Sequence, residues 1–220
     1  PPRSAVGGRA GSAGEVDPSR IVQITYFHPP CLVNAMSGKI TLILGGARSG
    51  KSAYAQQQAE ASAGNVLFIA TAQAYDEEMK TRIEDHRKNR PAHWFTLEAP
   101  HAVGRAFLAW QDEHPQIEPS ILILDCMTLL VSNLLLSLPE PLQDESVNRV
   151  IHEELDELLH AIGQSSAEWI IVSNEVGLGL VPPYPLGRFY RDALGRVNQR
   201  LAAAAEKVIF LVAGLPMRIK

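Results

Sequence analysis

Residues Ile40-Thr41-Leu42-Ile43-Leu44-Gly45-Gly46-Ala47-Arg48-Ser49-Gly50-Lys51-Ser52 decide the fold. An apolar run of strand length ends in two glycines, and the pattern G-x-x-x-x-G-K-[ST] is met at every fixed position from Gly45 to Ser52. Residues 52–63 are rich in Ala and Gln and predict a helix stopped by Gly64. Strand, glycine loop and helix in that order make a phosphate cradle. The glycines let the backbone turn so that successive N–H groups face phosphate oxygens, and the helix N-terminus adds partial positive charge. Lys51 suits bridging of the β- and γ-phosphates, and Ser52 suits ligation of Mg2+. Gly45, Gly46, Ala47, Arg48, Ser49, Gly50, Lys51 and Ser52 are therefore expected to hold a nucleotide. A bare strand-to-helix turn is the alternative, but strand, loop and helix agree.

Outward from this loop, short apolar runs alternate with helical patterns. Strands are expected at 66–70, 93–97, 121–124, 169–173 and 208–212, with a short edge strand at 217–219. Helices are expected at 76–90, 103–112, 127–136, 145–162 and 189–205, with Asp76 an N-cap and Pro91 a stop. Residues 177–187 read as a Gly/Pro-rich loop. The alternation predicts an α/β P-loop NTPase (RecA-like) fold, a mostly parallel sheet of about seven strands with helices on both faces.

The chain has 220 residues, 46% of them apolar and 20% charged, an ordinary globular balance for one catalytic domain over 36–220. Its net charge of -4 lacks the basic excess a general nucleic-acid binder needs. The apolar runs are too short to span a bilayer. Two cysteines, Cys31 and Cys126, make neither a disulfide framework nor a zinc pattern, so a cytoplasmic location is expected. Residues 1–35 carry Gly, Ser, Ala, Pro and Arg without apolar period and read as a disordered or non-native extension ahead of Met36. A transit peptide also fits that composition, against Glu15 and Asp17.

P-loop proteins place an acidic residue after a second buried strand, where it holds the metal or its water shell. Asp125, after residues 121–124, is the candidate; a helix N-cap is its other reading. Cys126 follows it, so the acidic pair of motor ATPases is missing. No Asn-Lys-x-Asp tetrad is present, which disfavours a switch GTPase. A kinase or nucleotidyltransferase remains.

More of the chain then becomes legible. After the loop come Phe68-Ile69-Ala70-Thr71-Ala72-Gln73, Arg82-Ile83-x-x-His86-Arg87, and Arg90-Pro91-Ala92-His93-Trp94. Asp125-Cys126-Met127-Thr128 with Ser132-Asn133-Leu134-Leu135, Ser173-Asn174-Glu175-Val176-Gly177, and Arg191-Asp192-x-x-Gly195-Arg196-Val197-Asn198-Gln199 complete the set. Together they resemble the bifunctional adenosylcobinamide kinase / adenosylcobinamide-phosphate guanylyltransferase family of cobalamin biosynthesis, from Lys39 to Lys220.

The resemblance implies two reactions. Adenosylcobinamide is phosphorylated on its aminopropanol hydroxyl by a nucleoside triphosphate, ATP or GTP. GMP from GTP is then moved onto adenosylcobinamide phosphate through a GMP–histidine intermediate, which the resemblance places on His86. From the residues alone, His86 shares the helical stripe of Met79 and Ile83 and reads first as a core histidine; the resemblance reverses that reading. Position 85 is Asp, where some relatives carry a second histidine. Thr71, Ala72 and Gln73 should border the nucleotide. Arg87, Lys88, Asn89 and Arg90 should meet phosphate near His86; a solvated basic helix end is their other reading. Glu98 is expected at guanine or ribose, and Glu175 at the hydroxyl or the metal. Arg191, Arg196 and Asn198 are expected at an interface or the substrate tail. The resemblance also implies a homo-oligomer, a trimer. A different small-molecule P-loop kinase without a covalent intermediate, or a nucleotide-dependent regulatory module, would share the loop.

Overall fold

A computed structural model of the chain describes residues 38–74, 77–88 and 90–220, apart from the side chains at 78, 82, 85 and 86. The proposed extension at 1–35 and the capping role of Asp76 lie outside the described residues. The strands are β1 (Lys39–Gly45), β2 (Asn65–Ala70), β3 (Phe95–Glu98), β4 (Pro119–Asp125), β5 (Glu168–Val172), β6 (Lys207–Val212) and β7 (Leu215–Arg218). The helices are α1 (Lys51–Glu60), α2 (Glu77–Lys88), α3 (Val103–Glu113), α4 (Met127–Leu136), α5 (Asp144–Gln164) and α6 (Pro185–Ala204).

The seven strands form one sheet in the order β3-β2-β4-β5-β1-β6-β7. All pairings are parallel except β6 with β7. This is the mostly parallel α/β sheet that the alternation predicts, with its seventh strand turned back at the edge.

Side chains of a strand alternate between faces, so a sheet covered on both sides needs apolar residues in continuous runs. On one face Leu42, Leu67, Leu122, Leu124, Trp169 and Ile171 pack against α3, α4, α5 and α6. Trp169 meets Phe107 edge-on, with ring centroids 5.0 Å apart. On the other face Ile43, Phe68, Ile123, Ile170 and Val172 pack against Ala55 and Ala59 of α1. The small residues of α1 let it lie close to the sheet directly behind the phosphate loop.

Two sequence expectations shift here. Helix α6 begins at Pro185, inside the segment expected to be a loop, because proline is well suited to the first helical turn, where its missing N–H is not needed. The N-cap of α4 is Cys126, not Asp125, which leaves the Asp125 carboxylate free of that role.

Candidate active site

The parallel strands end together, and the loops leaving β1, β2, β4 and β5 meet there, as expected for ligand sites in such sheets. At Gly45 φ is +153°, and a Cβ would sit 2.5 Å from the Leu211 carbonyl oxygen and 2.7 Å from Ser49 Oγ. Only glycine fits. Gly50, with φ +94°, is the N-cap of α1. The Ser49 carbonyl accepts the Gly214 N–H at 3.0 Å, so the turn between β6 and β7 props the loop from behind.

Lys51 is buried, and its Nζ donates to the Gly46 carbonyl at 2.6 Å. Burial holds its ammonium below the usual lysine range, against the opposing pull of Cys126 and Asp125. The amine therefore lies curled over its own loop, where arriving phosphate oxygens would supply the partner that water does not.

A cavity of about 590 Å³ opens above the loop. Its floor is Ala47, Arg48, Ser49, Gly50, Lys51 and Ser52. Ala72, Asp125, Thr128 and Asn174 add walls from the ends of β2, β4 and β5 and from α4. Met79 and Ile83 of α2 close one side, and Arg87, Arg90 and Glu98 the rim. The Arg90 guanidinium stacks 3.6 Å from the Phe68 ring centroid. Burial lowers its pKa, Asp125 opposes that, and Arg87 adds to it. Its Nε is buried and has no hydrogen-bond partner among the described residues. Arg87 pairs with Glu98 across the rim. Beyond that pair a second cavity of about 500 Å³ continues along Pro91, Trp94 and Thr96.

Asp125 and Ser52 face the same cavity, and Asp125 makes no ion pair among the described residues. The described residues hold no group of three His, Cys, Asp or Glu able to chelate a cation alone. One hydroxyl and one carboxylate suit a hard cation whose other ligands are phosphate oxygens and water.

Several expected site residues do other work. Thr71 is fully buried. Its hydroxyl donates to the Cys126 carbonyl at 2.8 Å and accepts the Cys126 N–H at 2.9 Å, clamping the end of β2 to the end of β4. Asn133 donates to the carbonyls of Thr71 and Pro100, at 2.8 and 3.1 Å, and so joins two site loops. Gln73 lies 3.4 Å from His101, and neither Gln73 nor Lys88 lines the cavity. Gly45 and Gly46 shape the loop without lining it. The Glu175 carboxylate turns back to accept the Gly177 N–H at 2.6 Å instead of facing the cavity. Asn198, expected at an interface or substrate tail, is buried against Ser173 and Asn174. Asn89 and the side chain of His86 lie outside the described residues.

Sequence reasoning missed Phe68, Met79, Thr128 and Asn174 as cavity residues. Thr128 and Asn174 had a signal, since each is a polar residue just past the C-terminal end of a buried strand.

Residues 41–219 match the family model described as cobinamide kinase / cobinamide phosphate guanyltransferase. The chain is 41% identical over 189 residues to the bifunctional adenosylcobalamin biosynthesis protein CobU of Escherichia coli (strain K12), covering 81% of this chain and 98% of that protein. It is 42% identical over 184 residues to the Salmonella typhimurium protein of the same name, covering 81% and 98%. It is 46% identical over 179 residues to the bifunctional adenosylcobalamin biosynthesis protein CobP of Pseudomonas aeruginosa, covering 81% and 96%. With the phosphate loop, the acidic strand end and the rim cations on one cavity, the chain belongs to the cobinamide kinase / cobinamide phosphate guanyltransferase family.

Proposed function

We propose that this one cavity serves both reactions: phosphorylation of adenosylcobinamide by ATP or GTP, then transfer of GMP from GTP to adenosylcobinamide phosphate. The observation that carries the reading is convergence. A phosphate loop, a strand-end carboxylate with no ion pair among the described residues and the Arg87–Arg90 cations share one cavity in a chain of this family.

In the first reaction the loop N–H groups and Lys51 hold the β- and γ-phosphates for in-line attack by the aminopropanol hydroxyl. Ser52 and Asp125 would hold Mg2+, which supplies charge neutralisation on the phosphates. In the second, the neutral imidazole of His86 attacks the α-phosphorus of GTP, and the bond to pyrophosphate breaks. The cobinamide phosphate oxygen then displaces His86. Splitting the transfer lets one site take both partners in turn. His86 follows Ile83 by one turn of α2, on the helix whose Met79 and Ile83 wall the cavity. Arg87 and Arg90, with Lys88 and Asn89 beside them, neutralise the phosphates. Glu98 contacts guanine or ribose, and Ala72 borders the nucleotide. The enzyme works in the cytoplasm as a homotrimer.

The test uses GTP labelled on the α-phosphate, with wild type beside His86→Ala, followed by denaturation. Acid-labile, base-stable label on wild type alone supports a GMP–His86 intermediate. Bound nucleotide with no retained label on wild type overturns it and leaves a plain small-molecule P-loop kinase.

A further inference from the structure

Strand β5 lies between β1, which carries the phosphate loop, and β4, which carries Asp125. Whatever follows β5 emerges between the phosphates and the acid. Those residues are Ser173, Asn174 and Glu175. Glu175 is bent back on its own loop, but Asn174 lines the cavity.

Asn174 is held on both sides of its backbone by side chains from separate helices. Its N–H donates to Thr128 Oγ1 of α4 at 3.0 Å. Its carbonyl accepts from Asn198 Nδ2 of α6 at 2.9 Å. Asn198 is itself fixed, because its Oδ1 accepts the buried Ser173 hydroxyl at 2.7 Å. On either side, the Ser173 N–H donates to the Ile43 carbonyl at 2.9 Å and the Glu175 N–H to the Gly45 carbonyl at 3.1 Å. The peptide on which Asn174 stands is thus pinned to the last turn of β1 and to the first residue of the phosphate loop. Meanwhile its carboxamide has no hydrogen-bond partner among the described residues. Buried asparagine and serine spent on fixing one backbone position, with the side chain at that position left open, is the arrangement of a preorganised donor.

We infer that Asn174 is a catalytic residue of the phosphoryl-transfer step, its amide N–H donating to the terminal phosphate, and that Asn198 is its positioning residue. The inference rests on the proposed kinase reaction. There the substrate hydroxyl oxygen bonds to the terminal phosphorus while the bond from that phosphorus to the bridging oxygen breaks. The nucleoside diphosphate leaves with the electron pair, and the hydroxyl proton is lost to solvent. Asn174 gives and takes no proton. A neutral amide can donate to the transferring group without repelling it, which the adjacent carboxylate of Glu175 would do. Charge shifts onto the bridging and terminal oxygens as transfer proceeds, so a fixed donor there helps the transition state more than the ground state.

The experiment measures steady-state cobinamide phosphorylation, α-phosphate labelling by GTP and thermal melting for wild type, Asn174→Ala, Asn174→Asp, Asn198→Ala and the Asn174→Ala/Asn198→Ala pair. Wild type must phosphorylate cobinamide; if it does not, the functional reading itself fails. Given that, Asn174→Ala should lose about 100-fold in kcat, the scale of one transition-state donor, with KM for the nucleotide changed less than about threefold. Its melting temperature should stay at the wild-type value, because Asn174 is only partly buried. Asn174→Asp, the same shape with a charge, should be at least as impaired. Asn198→Ala should lower kcat as well as melting temperature. In the Asn174→Ala background its kcat effect should vanish while its melting effect remains. The inference is overturned if Asn174→Ala keeps kcat within about threefold of wild type. It is overturned equally if Asn174→Asp is as active as wild type, or if the Asn198 effect on kcat is undiminished without Asn174.

Discussion

Replacing Thr71 by valine keeps shape and removes one hydroxyl at a position with no solvent exposure. That hydroxyl makes two bonds to one residue, donating to the Cys126 carbonyl and accepting the Cys126 N–H. The two losses differ. The Cys126 carbonyl keeps the Leu130 N–H, at 3.2 Å, as its helical partner. Losing its second donor costs the net value of one bond, about 0.5–1.5 kcal/mol. The Cys126 N–H has no substitute among the described residues, and an orphaned buried donor costs about 1–3 kcal/mol. The extra methyl fills the hydroxyl's place and adds little. The sum is roughly 1.5–4.5 kcal/mol, or about 3–18 °C in melting temperature for a domain of this size. Urea denaturation of wild type and Thr71→Val measures the first quantity. Titration with nucleotide below the melting range should find affinity within about threefold of wild type, since the lost group faces the β2–β4 junction and not the cavity. Stability within about 0.5 kcal/mol of wild type, together with a tenfold loss of affinity, would refute the clamp and return Thr71 to the nucleotide.

Gly45→Ala places a methyl against the Leu211 carbonyl and Ser49 Oγ in a backbone conformation alanine resists, so the loop must move. Calorimetry should find nucleotide binding at least about tenfold weaker, and unchanged affinity would mean the loop tolerates the shift. The Cys126 thiol is pushed up to about 11, first by burial and then by Asp125. A raised folded-state value keeps the thiol neutral: its contribution to stability is intact below the ordinary value of 9.0 and is lost as pH rises through about 11. Iodoacetamide should therefore react slowly at pH 8, with a rate midpoint near 11, and a midpoint at or below 9 would show that the thiol is not desolvated.

The sheet was legible because its strands are buried on both faces. Runs such as Ile121 to Leu124 and Trp169 to Val172 can be little else between helical patterns, and the glycine loop marks which strand is β1. Proline misled at α6, since Pro182, Pro183 and Pro185 read alike in a sequence, while in the fold Pro185 starts a helix. The candidate site was legible where its residues are local, as in the run from Ala47 to Ser52 that lines the cavity. It was not legible where a residue works through a distant backbone group. Asn133 bonds Thr71 across 62 positions, and Thr128 bonds Asn174 across 46, and no spacing rule reports such pairs. At the end of β5 the sequence offers Asn174 and Glu175 side by side, and the charged residue draws attention first. Which of them meets the cavity is set by pinning of the backbone: Ser173 to Ile43 before, Glu175 to Gly45 after, Thr128 and Asn198 between. That phase is a property of the assembled sheet. It turns the carboxylate back toward Gly177 and leaves the neutral amide lining the cavity, the side chain that the proposed polyanionic substrate would tolerate.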